Sequence, residues 1–172
     1  RLRVLPDVKP LRHWTPVHLH LGASDVPARV ALLEGKVLEP GTHAHVQLVS
    51  AEPLCTLHGD RFIVRDQSGQ VTLGGGTVLD PFAPTRRRRS RERLAALAAH
   101  EHDAPEAALA ALLEASPDGV HLDRFALAWN LAPAGAETLW KKLQMTVRDA
   151  PAGKLGFSGR RWNEGLERAL EI

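Results

Sequence analysis

Two folding units are predicted from this sequence: an all-β antiparallel barrel over residues 1–84 and a mainly α-helical domain over 94–172. An arginine-rich junction at 85–93 separates them. Three observations carry the prediction. Apolar residues alternate with polar ones at period 2 through the first half, as Val17, Leu19 and Leu21 do against His18 and His20. The stretch Gly59–Pro81, GDRFIVRDQSGQVTLGGGTVLDP, reads as two strands joined by a polar turn, with three glycines in the second strand. From Leu94 onward the chain becomes Ala- and Leu-rich, with apolar residues at helical spacing.

In chain order, Val17–Leu21 is a half-buried strand. Pro27 punctuates, and Ala28–Glu34 is the next strand, ended by Gly35. Glu39-Pro40-Gly41 marks a turn before His43–Leu48, where Ala44, Val46 and Leu48 alternate with His43, His45 and Gln47. After Glu52-Pro53, residues Leu54–Leu57 are expected to be extended. In the following strand Phe62 and Val64 share one face, and Arg61, Ile63 and Arg65 the other. Asp66–Gln70 supplies turn chemistry, with Gly69 free to take a positive φ. The triplet Gly74-Gly75-Gly76 lets another backbone approach closely or turns a barrel corner. It lacks the Lys-Ser/Thr and helix of a phosphate-cradling loop, since Thr77-Val78-Leu79-Asp80-Pro81 follows.

The second half opens with Arg86-Arg87-Arg88-Arg89-Ser90-Arg91-Glu92-Arg93. Ser90 is placed to cap a helix reaching about His102, with Leu94, Leu97 and Ala98 as its stripe. Asp103-Ala104-Pro105-Glu106 starts a second helix, buried through Leu109, Leu112 and Leu113. Val120 and Leu122 are expected in a short strand, followed by a helix with Phe125, Ala126 and Trp129. A turn at Leu131–Gly135 leads to a helix lined by Leu139, Trp140 and Leu143. Thr146–Arg148 and Lys154–Phe157 form a hairpin around Pro151-Ala152-Gly153. Ser158 caps a last helix bearing Trp162, Leu166 and Leu170. Helix, helix–turn–helix and hairpin is the order of a winged helix. Trp129, Trp140 and Trp162 are expected to anchor the core.

Composition bounds the chemistry. With 44% hydrophobic and 24% charged residues the chain is globular, and no apolar run reaches the ~20 residues of a spanning helix. A lone cysteine, Cys55, excludes an internal disulfide framework and fits a reducing cytoplasm; it reads as a small core residue. The start at Arg1, with no Met and no leader, reads as a cut inside a longer protein. Net charge is +2, with residues 1–85 balanced and 94–172 acidic, so the basic surplus sits in the junction. That run fits a solvated linker or a set of phosphate contacts through Arg86, Arg87, Arg88 and Arg89. His18-x-His20 and His43-x-His45 lack the partners of a closed zinc site, so no metal is expected. No nucleophile–base pair or carboxylate pair is present at catalytic spacing, so the chain is not expected to be an enzyme.

The Gly-x-Arg-Phe strand running into a glycine-rich strand resembles the third domain of elongation factor Tu. The segments HWTPVHLHLGASDVPARVALL and LGGGTVLDP are similar to the selenocysteine-specific elongation factor family, with a weaker likeness to its first winged helix over 86–172. The resemblance implies a fragment of a factor that delivers selenocysteinyl-tRNA to the ribosome at recoded UGA codons, with an mRNA hairpin held by further winged helices. It implies that GTP and Mg belong to a GTPase domain upstream, with no cofactor in this chain, and that the first winged helix is a spacer. By position it places tRNA T-stem contacts on His18, Arg65, Asp66, Gln67 and Ser68. The alternative from the residues is a winged-helix DNA-binding transcriptional regulator with a β-barrel sensor domain. In it Lys141, Lys142 and Arg148 would face phosphates, and Glu137 and Thr138 would face base edges.

Overall fold

A computed structural model describes residues 1–151 and 153–170, and the chain divides into two compact units, Arg1–Ser90 and Arg91–Ile172. Ala152 of the expected hairpin turn and residues 171–172 of the expected last helix lie outside the described residues.

The first unit contains β1 (Leu2–Val4), β2 (Leu11–Arg12), β3 (Thr15–Leu21), β4 (Ser24–Leu32), β5 (Val37–Leu38), β6 (His43–Ala44), β7 (Val46–Ser50), β8 (Arg61–Arg65) and β9 (Thr72–Thr77). Seven form one antiparallel sheet in the order β6-β1-β9-β8-β3-β4-β7, and β2 pairs with β5. The outermost strands β6 and β7 are consecutive pieces of one run, separated only by His45. One short run can serve both edges only if the sheet curls round to bring those edges together. The concave face carries the core: Leu2, Val4, Val17, Leu19, Val30, Leu32, Phe62 and Val64 are all at most 5% exposed. Such side chains contribute about 1.5–3 kcal/mol each on burial.

Gly74, Gly75 and Gly76 sit between β1 and β8 in the register Val4↔Gly74, Arg3↔Gly75, Leu2↔Gly76. A Cβ on Gly75 would come 2.8 Å from the Phe62 carbonyl oxygen. One on Gly76 would strike the Arg1 carbonyl and come 2.8 Å from the Phe62 ring. Close backbone approach is therefore why the triplet is glycine.

Several expectations are corrected. Pro27 lies inside β4 rather than before it. Its carbonyl accepts the Ala51 N–H at 2.9 Å, so its missing N–H faces past the end of β7 and costs no bond to β3. Residues 54–57 are not a strand. Thr56 Oγ1 and the Leu57 N–H both donate to Asp60 Oδ2, at 3.0 and 2.8 Å, which commits that backbone to a local turn. Cys55, just ahead of that turn, is exposed rather than in the core.

The second unit contains α1 (Arg91–Ala99), α2 (Pro105–Ala115), β10 (Val120–His121), α3 (Leu122–Ala128), α4 (Pro133–Lys142), β11 (Thr146–Ala150), β12 (Gly153–Phe157) and α5 (Gly159–Leu170). Its small sheet has the order β10-β12-β11. Ala108, Leu109, Leu112, Leu113, Leu122 and Phe125 form the core, with Trp129 and Trp140 packed against it. Here too the structure departs from expectation. Ala99 and His100 are buried instead of Ala98, so the α1 stripe is rotated. The N-cap of α2 is Ala104, without a side-chain bond, so the acidic start at Asp103 does not cap it. Leu122 begins α3, and Gly135 lies within α4. Ser158 does cap α5, its Oγ accepting the Arg161 N–H at 3.3 Å. Trp162 is no core anchor: it packs edge-on against Phe157, with the Arg148 guanidinium 4.5 Å from its ring centre. Leu166 and Leu170 are 48% and 86% exposed.

Candidate functional site

The outward face of β3 and β8 is set by strand alternation: burying Val17, Leu19, Phe62 and Val64 turns His18, His20, Arg61, Ile63 and Arg65 outward. The antiparallel register puts His18 directly across from Arg65 and His20 across from Ile63. Asp25, on β4, joins both histidines, at 3.1 Å from His18 Nδ1 and 3.7 Å from His20 Nε2.

The turn after Arg65 is organised by Asp66. Its Oδ1 accepts the N–H groups of Gln70 and Val71 at 2.8 and 2.9 Å, and its Oδ2 accepts the Ser68 hydroxyl at 2.6 Å. The Asp66 N–H donates to the Val71 carbonyl, and Gly69, at φ +69°, donates to the Asp66 carbonyl. The Ser68 hydroxyl foremost, then the Val71 N–H, hold the carboxyl below its ordinary 3.8. Asp66 is thus spent inside the turn and shapes it. Arg65 reaches across, Nη2 donating to the Gln70 carbonyl at 3.3 Å. Gln67 and Ser68 stand exposed at the tip.

The arginine run splits into distinct environments. Arg89 is bound within the first unit: Nε and Nη2 donate to the Leu32 carbonyl at 3.1 and 2.8 Å, and Nη2 lies 3.0 Å from His13 Nδ1. Arg88 lies 5.8 Å from the centre of the Trp14 ring. Arg86 and Arg87 are exposed, and Arg87 has φ +53°. Arg87, Arg88, Arg89 and His13 line a recess of about 510 Å3 floored by Ala31, Leu32 and Leu33. Trp14 itself is 40% exposed at φ +72°. It occupies the tight turn between β2 and β3, closed by Thr15 Oγ1 donating to the Arg12 carbonyl at 2.8 Å. A bulky residue in this left-handed region costs about 1 kcal/mol or more. Sequence reading passed over Trp14 as a site. The signal available was a threonine three residues after Arg12, which suits a side-chain-closed turn.

Several basic groups of the second unit are engaged internally. Lys142 pairs with Glu106 at 2.6 Å, Lys154 lies 5.6 Å from the Trp140 ring centre, and Arg160 pairs with Glu114. Arg161 donates to the Glu114 carbonyl at 2.9 Å and pairs with Glu164 at 2.9 Å. The Ser158 hydroxyl first, then Arg160, hold the Glu114 carboxyl below its ordinary value. Thr138 Oγ1 donates to the Ala134 carbonyl at 2.8 Å, folding it back along α4, while Glu137 and Lys141 are exposed. Among the described residues no group of three or more His, Cys, Asp or Glu is placed to hold a metal ion, and no helix is long and apolar enough to cross a membrane.

Residues 2–85 match the family model described as the β-barrel domain of selenocysteine-specific elongation factor. The selenocysteine-specific elongation factor of Desulfomicrobium baculatum is 39% identical over 83 residues, 48% of this chain. That of Escherichia coli K12 is 38% identical over 133 residues, 76% of this chain. The matched stretches are 13% and 20% of those relatives' own lengths. The crystal structure of a bacterial selenocysteine-specific elongation factor shares the fold, with a TM-score of 0.59 at 17% identity over 99% of this chain and 25% of that one. With the barrel-domain match and two relatives near 40% identity, the chain belongs to the selenocysteine-specific elongation factor family.

Proposed function

We propose that this chain is the portion of a selenocysteine-specific elongation factor whose β-barrel grips the T-stem of selenocysteinyl-tRNA during delivery to the ribosome at recoded UGA codons. The observation that carries the reading is the pairing of His18 with Arg65 across β3 and β8, beside a turn held rigid by Asp66. A rigid tip presenting Gln67 and Ser68 next to a guanidinium and an imidazole suits phosphate and 2′-hydroxyl groups, by which an A-form stem is read. Asp66 acts as a positioning residue, and His18, Arg65, Gln67 and Ser68 make the contacts. Arg86 and Arg87 remain open for phosphate, whereas Arg89 holds the run against the barrel.

The second unit is read as a winged helix, supported by α3 and α4 followed by the β11–β12 hairpin with β10 paired to β12. Its cations are mostly paired within the unit, which favours a spacer leading to mRNA-hairpin-binding modules over a DNA-binding regulator. GTP and Mg are assigned to a GTPase domain outside this chain. In the full-length factor, Arg65→Ala with Gln67→Ala should weaken selenocysteinyl-tRNA binding by ~1–3 kcal/mol at unchanged GTP affinity. Lys141→Ala with Lys142→Ala should leave it unchanged. Loss of binding on the lysine change alone would move the site to the second unit.

A further inference from the structure

We infer that Trp14, with Arg87 and Arg88, forms a second RNA site: a platform on which an unpaired base stacks while the arginines take its phosphate. The inference rests on the reading of the barrel unit as an RNA-contacting domain, and it assigns to that unit a class of contact different from the stem-reading turn.

The first argument is the backbone. Trp14 sits at φ +72° in a two-residue turn, a position glycine or asparagine would fill without strain. Keeping the largest side chain there, 40% exposed, places an indole at the surface at an energetic cost that the core does not recover. The second is the surroundings. The His13 ring lies 5.8 Å from the indole and tilted by 35°, Arg88 lies 5.8 Å from its centre, and Arg29 Nη1 donates to the Trp14 carbonyl at 3.3 Å. An exposed aromatic ring beside guanidinium groups is the composition of single-strand platforms, where stacking gives affinity and basic groups follow the backbone. The third is an unmet donor. Arg88 Nε is shut from solvent with no hydrogen-bond acceptor, and Arg88 lines the recess beside exposed Arg87. Turning of the Arg88 side chain into that recess would give this N–H a phosphate oxygen as its acceptor.

The position fits a shared ligand. β8 pairs with β3 from Leu21 back to His18, so the turn beyond Arg65 projects at the end of β3 where Trp14 lies. His18 lies four residue steps along the chain from Trp14, about 13 Å in extended conformation. A stem at the turn and an unpaired nucleotide at the indole are therefore reachable by one RNA.

The test uses the 172-residue chain with fluorescein-labelled octaadenylate and a blunt RNA duplex, followed by anisotropy. Trp14→Asn suits the left-handed backbone while removing the ring. It should weaken octaadenylate binding about tenfold and leave duplex binding unchanged, and Trp14→Phe should retain most of the affinity. Arg65→Ala with Gln67→Ala should do the converse. As a second measurement, photocrosslinking to a bromouridine-substituted octamer should label the tryptic peptide spanning residues 13–29. Octaadenylate binding unaltered in a folded Trp14→Asn protein, no octaadenylate binding by the unaltered chain, or labelling confined to other peptides overturns the platform. Trp14-dependent binding of octaadenylate without any duplex or tRNA binding would instead keep the platform and remove the T-stem reading.

Discussion

The barrel unit and the helical unit carry twelve and ten Lys and Arg residues, yet they use them in opposite ways. In the helical unit Lys142, Arg148, Lys154, Arg160 and Arg161 are each engaged by a carboxylate or an indole of the same unit. In the barrel unit Arg61, Arg86 and Arg87 stand exposed, and Arg65 and Arg88 border a turn and a recess. The number of cations therefore says little about a nucleic-acid face. What matters is how many remain unneutralised beside rigid backbone. The contrast also separates what each unit is sensitive to: backbone packing in the barrel, side-chain pairing in the helices.

The sharpest break of that comparison is Gly76→Val. The added side chain meets the Arg1 carbonyl on one side and the Phe62 ring on the other, and a paired strand lies along each edge of β9. Nothing there is a flexible side-chain end, so the strands must part. Destabilisation of the barrel transition by about 3 kcal/mol or more is expected in urea unfolding. The transition of the helical unit, followed by Trp129 and Trp140 fluorescence, should stay where it is. A shift below about 1 kcal/mol would mean that β9 can move away from β1 without cost.

These sensitivities were unequally legible in the sequence. β3, β8 and the Asp66 turn could be read because alternation and turn residues agree there. β1, β2 and β5 were missed because three residues or fewer carry no period. The 54–57 segment misled because its composition is extended, whereas its hydrogen bonds go to Asp60, a partner that periodicity does not reveal. Cys55 reads as a core residue because the sequence offers it no base or acid partner, yet it is exposed. The α1 stripe slipped by one residue because an Ala-rich helix offers several equivalent faces. At the site, the facing of His18 and Arg65 follows from register, which the sequence suggested only as neighbouring strands. Trp14 itself carries no signal of strain; its positive φ is imposed by the β2–β3 turn, for which Thr15 is the local signal.

A smaller effect is expected in the helical unit from Glu114→Gln. Its carboxylate takes Arg160 and its pKa is lowered by Ser158 and Arg160, so its contribution is present above the ordinary carboxylate pKa and fades as pH falls through the lowered one. The pair is about half exposed, so screening limits the loss to roughly 0.5–1 kcal/mol, reduced further in molar salt. By contrast Arg61→Ala in the barrel should change stability by no more than about 0.5 kcal/mol. Equal losses from both changes would erase the distinction between engaged and open cations.

The smallest effect lies at the Asp66 turn, and it decides whether that turn is ready to bind before RNA arrives. Asp66 lies at the surface and its hydrogen bonds all fall within residues 66–71, so they act locally and not on the whole unit. Its folded pKa lies below the ordinary 3.8, which fixes the sign: the turn is held above that value and released as pH falls through the lowered one. Backbone amide shifts of Gln70 and Val71, whose N–H groups bond the carboxylate, should titrate together with a midpoint below 3.8. Asp66→Asn should remove that titration, speed amide exchange at both positions and leave the midpoint of global unfolding nearly unchanged. A midpoint at or above 3.8 would show a turn that does not depend on its carboxylate. Gln67 and Ser68 would then have to be ordered by the ligand, at a cost in affinity that a rigid tip avoids.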